Sequence, residues 1–200
     1  MKSTKKILLA ALLLFTVKAN AQKIEGGIMG GVSTGSVKIS EIPNSFTNTI
    51  KGDNIIGWEG GLFVKLNAGP FYGKPELLLN YRSGTVDMQS ETGEAVKSTS
   101  FKMSRLEIPV IFGLELLGTV SIEMGPVYNR VLNVTETFNN ESISIKKGGV
   151  GYRVGASLSL ARLNLSVHYQ GLNLSSSSSS ESTYESPSEV IFGIGVRLGK

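Results

Sequence analysis

The sequence predicts an all-β protein: an eight-stranded antiparallel up-and-down transmembrane β-barrel that follows an N-terminal signal peptide. Three observations predict it. Eight segments alternate apolar and polar residues with period two, the mark of strands with two chemically different faces. Tight turns and long polar connections alternate strictly between those segments. The apolar faces are nearly uniform, while the opposite faces mix glycines with charges of both signs.

The N-terminus is set aside first. Lys2, Lys5 and Lys6 precede an apolar run, 7–17, that is shorter than the ~20 residues of a helical membrane span. Ala19 and Ala21 then supply the small residues a signal peptidase requires before its cut. The expected organisation is a signal peptide over 1–21 and a barrel domain over 22–200. This reading changes the charge balance. The full chain has 20 Lys+Arg against 16 Asp+Glu. Lys2, Lys5, Lys6 and Lys18 fall in the signal, leaving 16 of each. The net charge of +4 therefore belongs to the export signal, and nucleic acid is excluded as a partner on composition. The chain has no Cys, so an exported protein must do without disulfides or thiolate metal sites.

Each strand follows from its alternation. The first, 23–33, sets Ile24, Ile28 and Val32 against Glu25, Gly27, Met29 and Gly31. The second, 54–66, sets Ile56, Trp58, Leu62, Val64 and Leu66 against Glu59 and Lys65. In the third, 71–85, Phe71, Leu77, Leu79 and Tyr81 oppose Lys74, Glu76, Asn80 and Arg82. The fourth, 104–118, opposes Leu106, Ile108, Val110, Phe112, Leu114 and Leu116 to Arg105, Glu107 and Glu115. It also carries Pro109, which lacks an N–H and deletes a ladder bond. By parity Pro109 faces the lumen, and a local bulge or a missing ladder bond is expected at 108–110. The fifth, 119–134, sets Val120, Ile122, Met124 and Tyr128 against Ser121, Glu123, Gly125 and Asn129. The sixth, 149–160, is the cleanest, with Tyr152, Val154 and Leu158 opposite Gly151, Arg153 and Gly155. The seventh, 163–170, opposes Leu163, Leu165, Val167 and Tyr169 to Asn164, Ser166, His168 and Gln170. The eighth, 189–198, opposes Val190, Phe192, Ile194, Val196 and Leu198 to Glu189, Gly193, Gly195 and Arg197.

Tight turns are expected at 67–70, 117–118 and 161–162, and long loops at 34–53, 84–100, 135–147 and 175–188. The last contains six consecutive serines, Ser175 to Ser180, and its composition predicts disorder. Short turns at one end and long loops at the other match outer-membrane barrels. A soluble lipocalin-like barrel would face its apolar residues inward. Here the charged face also holds the glycines, as a narrow lumen requires, and the apolar face suits hydrocarbon. The expected structural lumen network is Glu25, Glu59, Lys65, Lys74, Glu76, Arg82, Arg105, Glu107, Glu115, Glu123, Arg153 and Arg197. Opposite charges within it can pair, which buried charges need.

With the strands laid out, "PELLLNYRSG" (75–84) followed by "SRLEIPVIFGLEL" (104–116) resembles the PorT-like outer-membrane barrel family of the Bacteroidetes. The glycine-rich "IEGGIMGGVS" and the closing "VIFGIGVRLGK" extend that resemblance over the mature chain. It implies an outer-membrane location in a Gram-negative bacterium, outer-membrane lipid as partner, and dealings with the barrel assembly machinery during insertion. It implies no particular activity. The chain departs from such barrels at its end, where Leu198-Gly199-Lys200 stands in place of a terminal aromatic residue.

No enzyme is expected. His168 is the only histidine, no serine sits in a G-x-S-x-G elbow, and no catalytic, cofactor-binding or metal residues are assigned. The paired glycines at Gly149, Gly151, Gly193 and Gly195 precede no helix and read as strand glycines rather than phosphate loops. The functional expectation is a small barrel with a plugged, charged lumen, acting as an envelope structural or surface-interaction protein through its long loops. A narrow channel for small solutes is the alternative.

Overall fold

Nine strands account for all regular structure among the described residues, and none of it is helical. In chain order these are β1 (Ile24–Ser40), β2 (Ile50–Ala68), β3 (Phe71–Met88), β4 (Lys97–Leu116), β5 (Val120–Glu136), β6 (Gly148–Leu160), β7 (Leu163–Asn173), the two-residue β8 (Thr183–Tyr184) and β9 (Ser188–Leu198). The structure is a computed structural model, described here over residues 23–40, 50–88, 97–136, 148–173, 183–184 and 188–198. The expected signal peptide, with Ala19 and Ala21, lies outside these residues.

All pairings are antiparallel, and each long strand pairs with its neighbour in sequence. β9 then returns to β1, which closes the sheet into an eight-stranded barrel with no free edge along its length. The register fixes the shape. Successive partners run from Ile24 through Leu66, Gly73, Phe112, Met124, Val154, Tyr169 and Val190 to Thr34. One circuit therefore displaces the chain from residue 24 to residue 34 of β1. For eight strands that stagger means a strand tilt of roughly 40° and an interior just wide enough for side chains.

The turns are short because their residues tolerate left-handed backbone. Gly69 and Gly118 have φ of 62° and 72°, a region open to glycine at little cost. Leu117, beside Gly118 in the second hairpin, and Ala161 in the third adopt φ of 53° and 51°. At the opposite end the strands run further than the alternation suggested. β1, β2, β3 and β4 extend through 34–40, 50–53, 86–88 and 97–100, segments expected to be loop. Polar sequence hid them, since past the apolar band neither face needs hydrophobic residues. Part of the serine-rich segment is also ordered: Thr183 and Tyr184 pair with Ser40 and Ile39, which corrects the expectation of disorder at those two positions.

Pro109 is buried and inward, but it makes no bulge. The β3–β4 ladder is interrupted between Pro75/Val110 and Leu78/Glu107 with the register unchanged. Similar interruptions flank Pro75 in the β2–β3 ladder and Pro126 in the β4–β5 ladder. Each proline costs hydrogen bonds without moving the chain, because neighbouring pairs on both sides hold the strands in place. The bulge lies elsewhere. The register of β4 against β5 shifts between Ser104 and Arg105, leaving Leu132 of β5 without a partner.

Candidate functional site in the barrel interior

Alternation decides what enters the barrel. On β3 the residues Lys74, Glu76, Leu78, Asn80 and Arg82 are buried, while Leu77 and Leu79 between them are about half exposed. Because β3 starts at a tight turn, these five inward side chains run from the turn end toward the loop end. The same alternation brings Glu59, Arg105, Glu107, Glu123, Arg153, His168, Gln170 and Glu189 inside, each at most 3 % exposed. The buried ionisable set holds five glutamates and five Lys/Arg (Lys65, Lys74, Arg82, Arg105 and Arg153). Balanced charge is what permits such burial, since an unpaired buried ion costs several kcal/mol.

The central member is Arg153 of β6. Its guanidinium contacts Glu59 on β2 at 3.1 Å, Glu76 on β3 at 3.4 Å and Glu107 on β4 at 3.3 Å, and its Nε donates to Gln170 at 2.6 Å. β6 and β2 are diametrically opposed in the strand order, so one side chain links opposite walls. Toward the loop end Arg105 repeats the arrangement. It contacts Glu107 at 2.7 Å and, across the barrel, Glu189 of β9 at 3.5 Å. Arg82 also pairs with Glu189. Gln170 joins the two arginine clusters by donating to Glu107 at 3.0 Å and Glu189 at 2.9 Å.

Toward the turn end the hub is an anion. Glu123 accepts from Lys74 at 3.0 Å, Ser157 at 3.0 Å and the Tyr72 hydroxyl, and lies 2.6 Å from His168 Nε2. Lys74 also reaches Glu76 at 3.2 Å, which connects this cluster to Arg153. The order of these groups bears on catalysis. Ser157 and His168 both bond the carboxylate, which stands between them. Nucleophilic catalysis requires the imidazole in that position, next to the hydroxyl. No group of three or more metal-ligating side chains occurs among the described residues.

The expected residues fall into two groups. Glu59, Lys74, Glu76, Arg82, Arg105, Glu107, Glu123 and Arg153 form one connected network. Lys65–Glu115 at 3.5 Å and Arg197–Glu25 at 3.2 Å are separate pairs at the turn-end mouth, with Glu115 and Arg197 side chains 30 % and 24 % exposed. Lys65 additionally stands 4.0 Å above the Tyr72 ring. Six members lie outside the expected set: Glu189, Gln170, Asn80, Tyr72, His168 and Ser157. Glu189, Gln170 and Asn80 could have been found, since each has the parity of the charged face on its strand.

Apolar residues share the interior. Phe63, Leu78, Ile111, Val127, Leu172 and Ile191 are buried on the inward face, although apolar character was read as a sign of the outer one. They fill space between the ion pairs at parity positions where charge is absent. The inward glycines leave room for large neighbours: a Cβ at Gly113 would strike the Tyr72 ring, and one at Gly155 would crowd His168. At the turn end a cavity of ≈ 20 Å³ remains, lined by Met29, Phe63, Tyr72, Lys74 and Ser166 among others, which is space for about one water.

The outward face is the complement. Trp58, Leu62, Phe71, Phe112, Ile122, Met124, Phe192 and Ile194 are all at least half exposed. Trp58 and Tyr81 pack at 5.9 Å, and Tyr152 and Tyr169 at 6.2 Å. With Tyr128 they form an aromatic girdle on the loop side of the apolar band, where such residues meet the membrane interface.

The solved structure of Neisserial surface protein A, from Neisseria, shares this fold. It is 11% identical with a TM-score of 0.53; the match covers 90% of this chain and 100% of that one. Ail, the attachment invasion locus protein of Yersinia pestis, is 14% identical with a TM-score of 0.46, over 87% of this chain and 98% of that one. No curated protein matches the chain. The family model for the outer membrane protein beta-barrel domain matches residues 20–196. An eight-stranded closed barrel with a hydrocarbon-suited exterior, matched over nearly its whole length, belongs to that outer-membrane β-barrel family, and its place is the outer membrane of a Gram-negative bacterium.

Proposed function

We propose that the protein is a non-enzymatic envelope or surface-interaction barrel whose lumen is plugged by its own charged side chains. The observation that carries this reading is Arg153, which bonds carboxylates on β2, β3 and β4 at 3.1–3.4 Å and so spans the lumen. A solute would have to break several of those pairs together, and each broken pair leaves a buried charge. Specificity then belongs to the loops at one end of the barrel, which a rigid scaffold displays. The motifs at 75–84 and 104–116 support a PorT-like barrel of the Bacteroidetes, exported through the signal peptide at 1–21.

Planar-bilayer recording of the refolded barrel tests the plug. No steady conductance is expected from the wild-type protein, and a reproducible open channel would overturn the reading in favour of solute passage.

A further inference from the structure

Every carboxylate whose side chain is described points into the barrel or lies at its turn-end mouth. On the outward strand faces, two charged side chains are described, and both are cations: Lys102 of β4 and Arg130 of β5, each exposed. They lie on adjacent strands at the loop end, past the girdle that includes Trp58, Tyr81 and Tyr128. Lys102 alternates with buried Met103, and Arg130 with buried Asn129, so both project from the side that carries the apolar band.

The β4–β5 bulge lies between these two cations. Arg105 pairs with Val131 and Ser104 with Asn133, with Leu132 left over. The extra residue reverses the parity of β5, so Asn133, which would otherwise face inward, is exposed beside Ser104. Bulges commonly re-aim a side chain in this way. Ser83 faces Lys102 across the β3–β4 ladder. The result is an outward patch on β3, β4 and β5. Arg130 stands opposite Leu106 at its lower end, and Lys102 opposite Thr135, four positions further along β4. The neutral hydrogen-bonding side chains Ser83, Ser104 and Asn133 lie between or beside them. The patch sits directly above an aromatic girdle and an apolar wall.

We propose that this patch is a binding site for the phosphorylated headgroup of an outer-leaflet lipid, whose acyl chains lie along the apolar face below. Three features converge on a lipid. The long loops of outer-membrane barrels lie outside the cell, so the patch is at the outer-leaflet headgroup level. Arg and Lys stems can cover apolar surface while their charged ends reach the interface. A phosphate offered to Arg130 and Lys102 meets donors with no carboxylate beside them among the side chains described on that face. A basic residue near an anionic surface contributes roughly fivefold in affinity.

Native mass spectrometry of the folded full chain in a nonionic detergent tests this, with monophosphoryl lipid A, its dephosphorylated form and inorganic phosphate as probes. The wild type is expected to retain the phosphorylated lipid preferentially, and the K102Q/R130Q double variant to hold it roughly 25-fold less tightly. The charge-preserving K102R/R130K variant should keep the preference. A heat-modifiability gel confirms that all three are folded. Equal retention of both lipids, or unchanged retention by the double variant, would overturn the site. So would a dimer in place of lipid adducts. Retention of inorganic phosphate alone, as strongly as the lipid, would make the patch an anion site and overturn its assignment to lipid.

Discussion

The two faces of each strand are built under opposite rules although they share one backbone. Inside, large charged side chains are packed against one another, and small residues are required wherever a neighbour intrudes. Outside, apolar side chains are half exposed, and small residues such as Gly26, Gly30 and Gly60 have no neighbour closer than ordinary contact. Gly60 and Gly61 show the contrast at adjacent positions. A Cβ on inward Gly61 would collide with the Leu77 carbonyl, whereas one on outward Gly60 would lie 3.7 Å from the Met29 oxygen, an ordinary contact. The lesson is that the interior is the precise part of this molecule. The exterior needs only to be apolar, because lipid conforms to it.

Substitutions that violate each rule should therefore cost in a definite order, read as urea unfolding free energies in lipid vesicles. The largest loss is expected for Arg153→Ala, which takes a cation from three buried glutamates and leaves Glu59 with none among the described residues, at about 3–5 kcal/mol. An unchanged unfolding midpoint would mean the inward pairs do not carry the stability of the barrel. Next comes the exterior. Leu62, between Ile28 and Leu77 on the outward face, should cost about 2–4 kcal/mol when replaced by Arg, the range for a cation near the bilayer midplane.

A finer comparison uses the glycines. Gly61→Ala should destabilise by about 1–3 kcal/mol, as overpacking does, while Gly60→Ala should stay within about 0.5 kcal/mol. Equal effects at the two sites would erase the contrast between faces. A small effect is also expected at the mouth, where Arg197→Ala breaks a partly exposed pair with Glu25 worth under about 1 kcal/mol. Raising the salt concentration should shrink that difference further.

Much of this was legible from local chemistry. The period-two alternation assigned Glu59, Arg105, Arg153 and Trp58 to their faces, and Gly69 and Gly118 marked turns. Strand ends are not legible where the strands leave the membrane, since there both faces turn polar and alternation vanishes. Inward Phe63, Leu78 and Ile111 have the hydropathy of outward residues, and only their parity with Glu59, Asn80 and Arg105 marks them as buried. At Pro109 the ladder breaks while the register holds, so its missing N–H was readable and its geometric consequence was not.

By itself the sequence determined the fold class, the two faces and the position of the tight turns, because these depend on residues two or three apart. Which charges meet was decided only by closure of the barrel. Arg153 and Glu59 are 94 positions apart and on opposite walls, and they meet because the ten-residue stagger of the register, from Ile24 to Thr34, brings them to one height. The bulge at Ser104/Arg105, which turns Asn133 outward beside Lys102 and Arg130, is likewise a property of two strands paired. Strand alternation is local, whereas register and closure belong to the whole sheet.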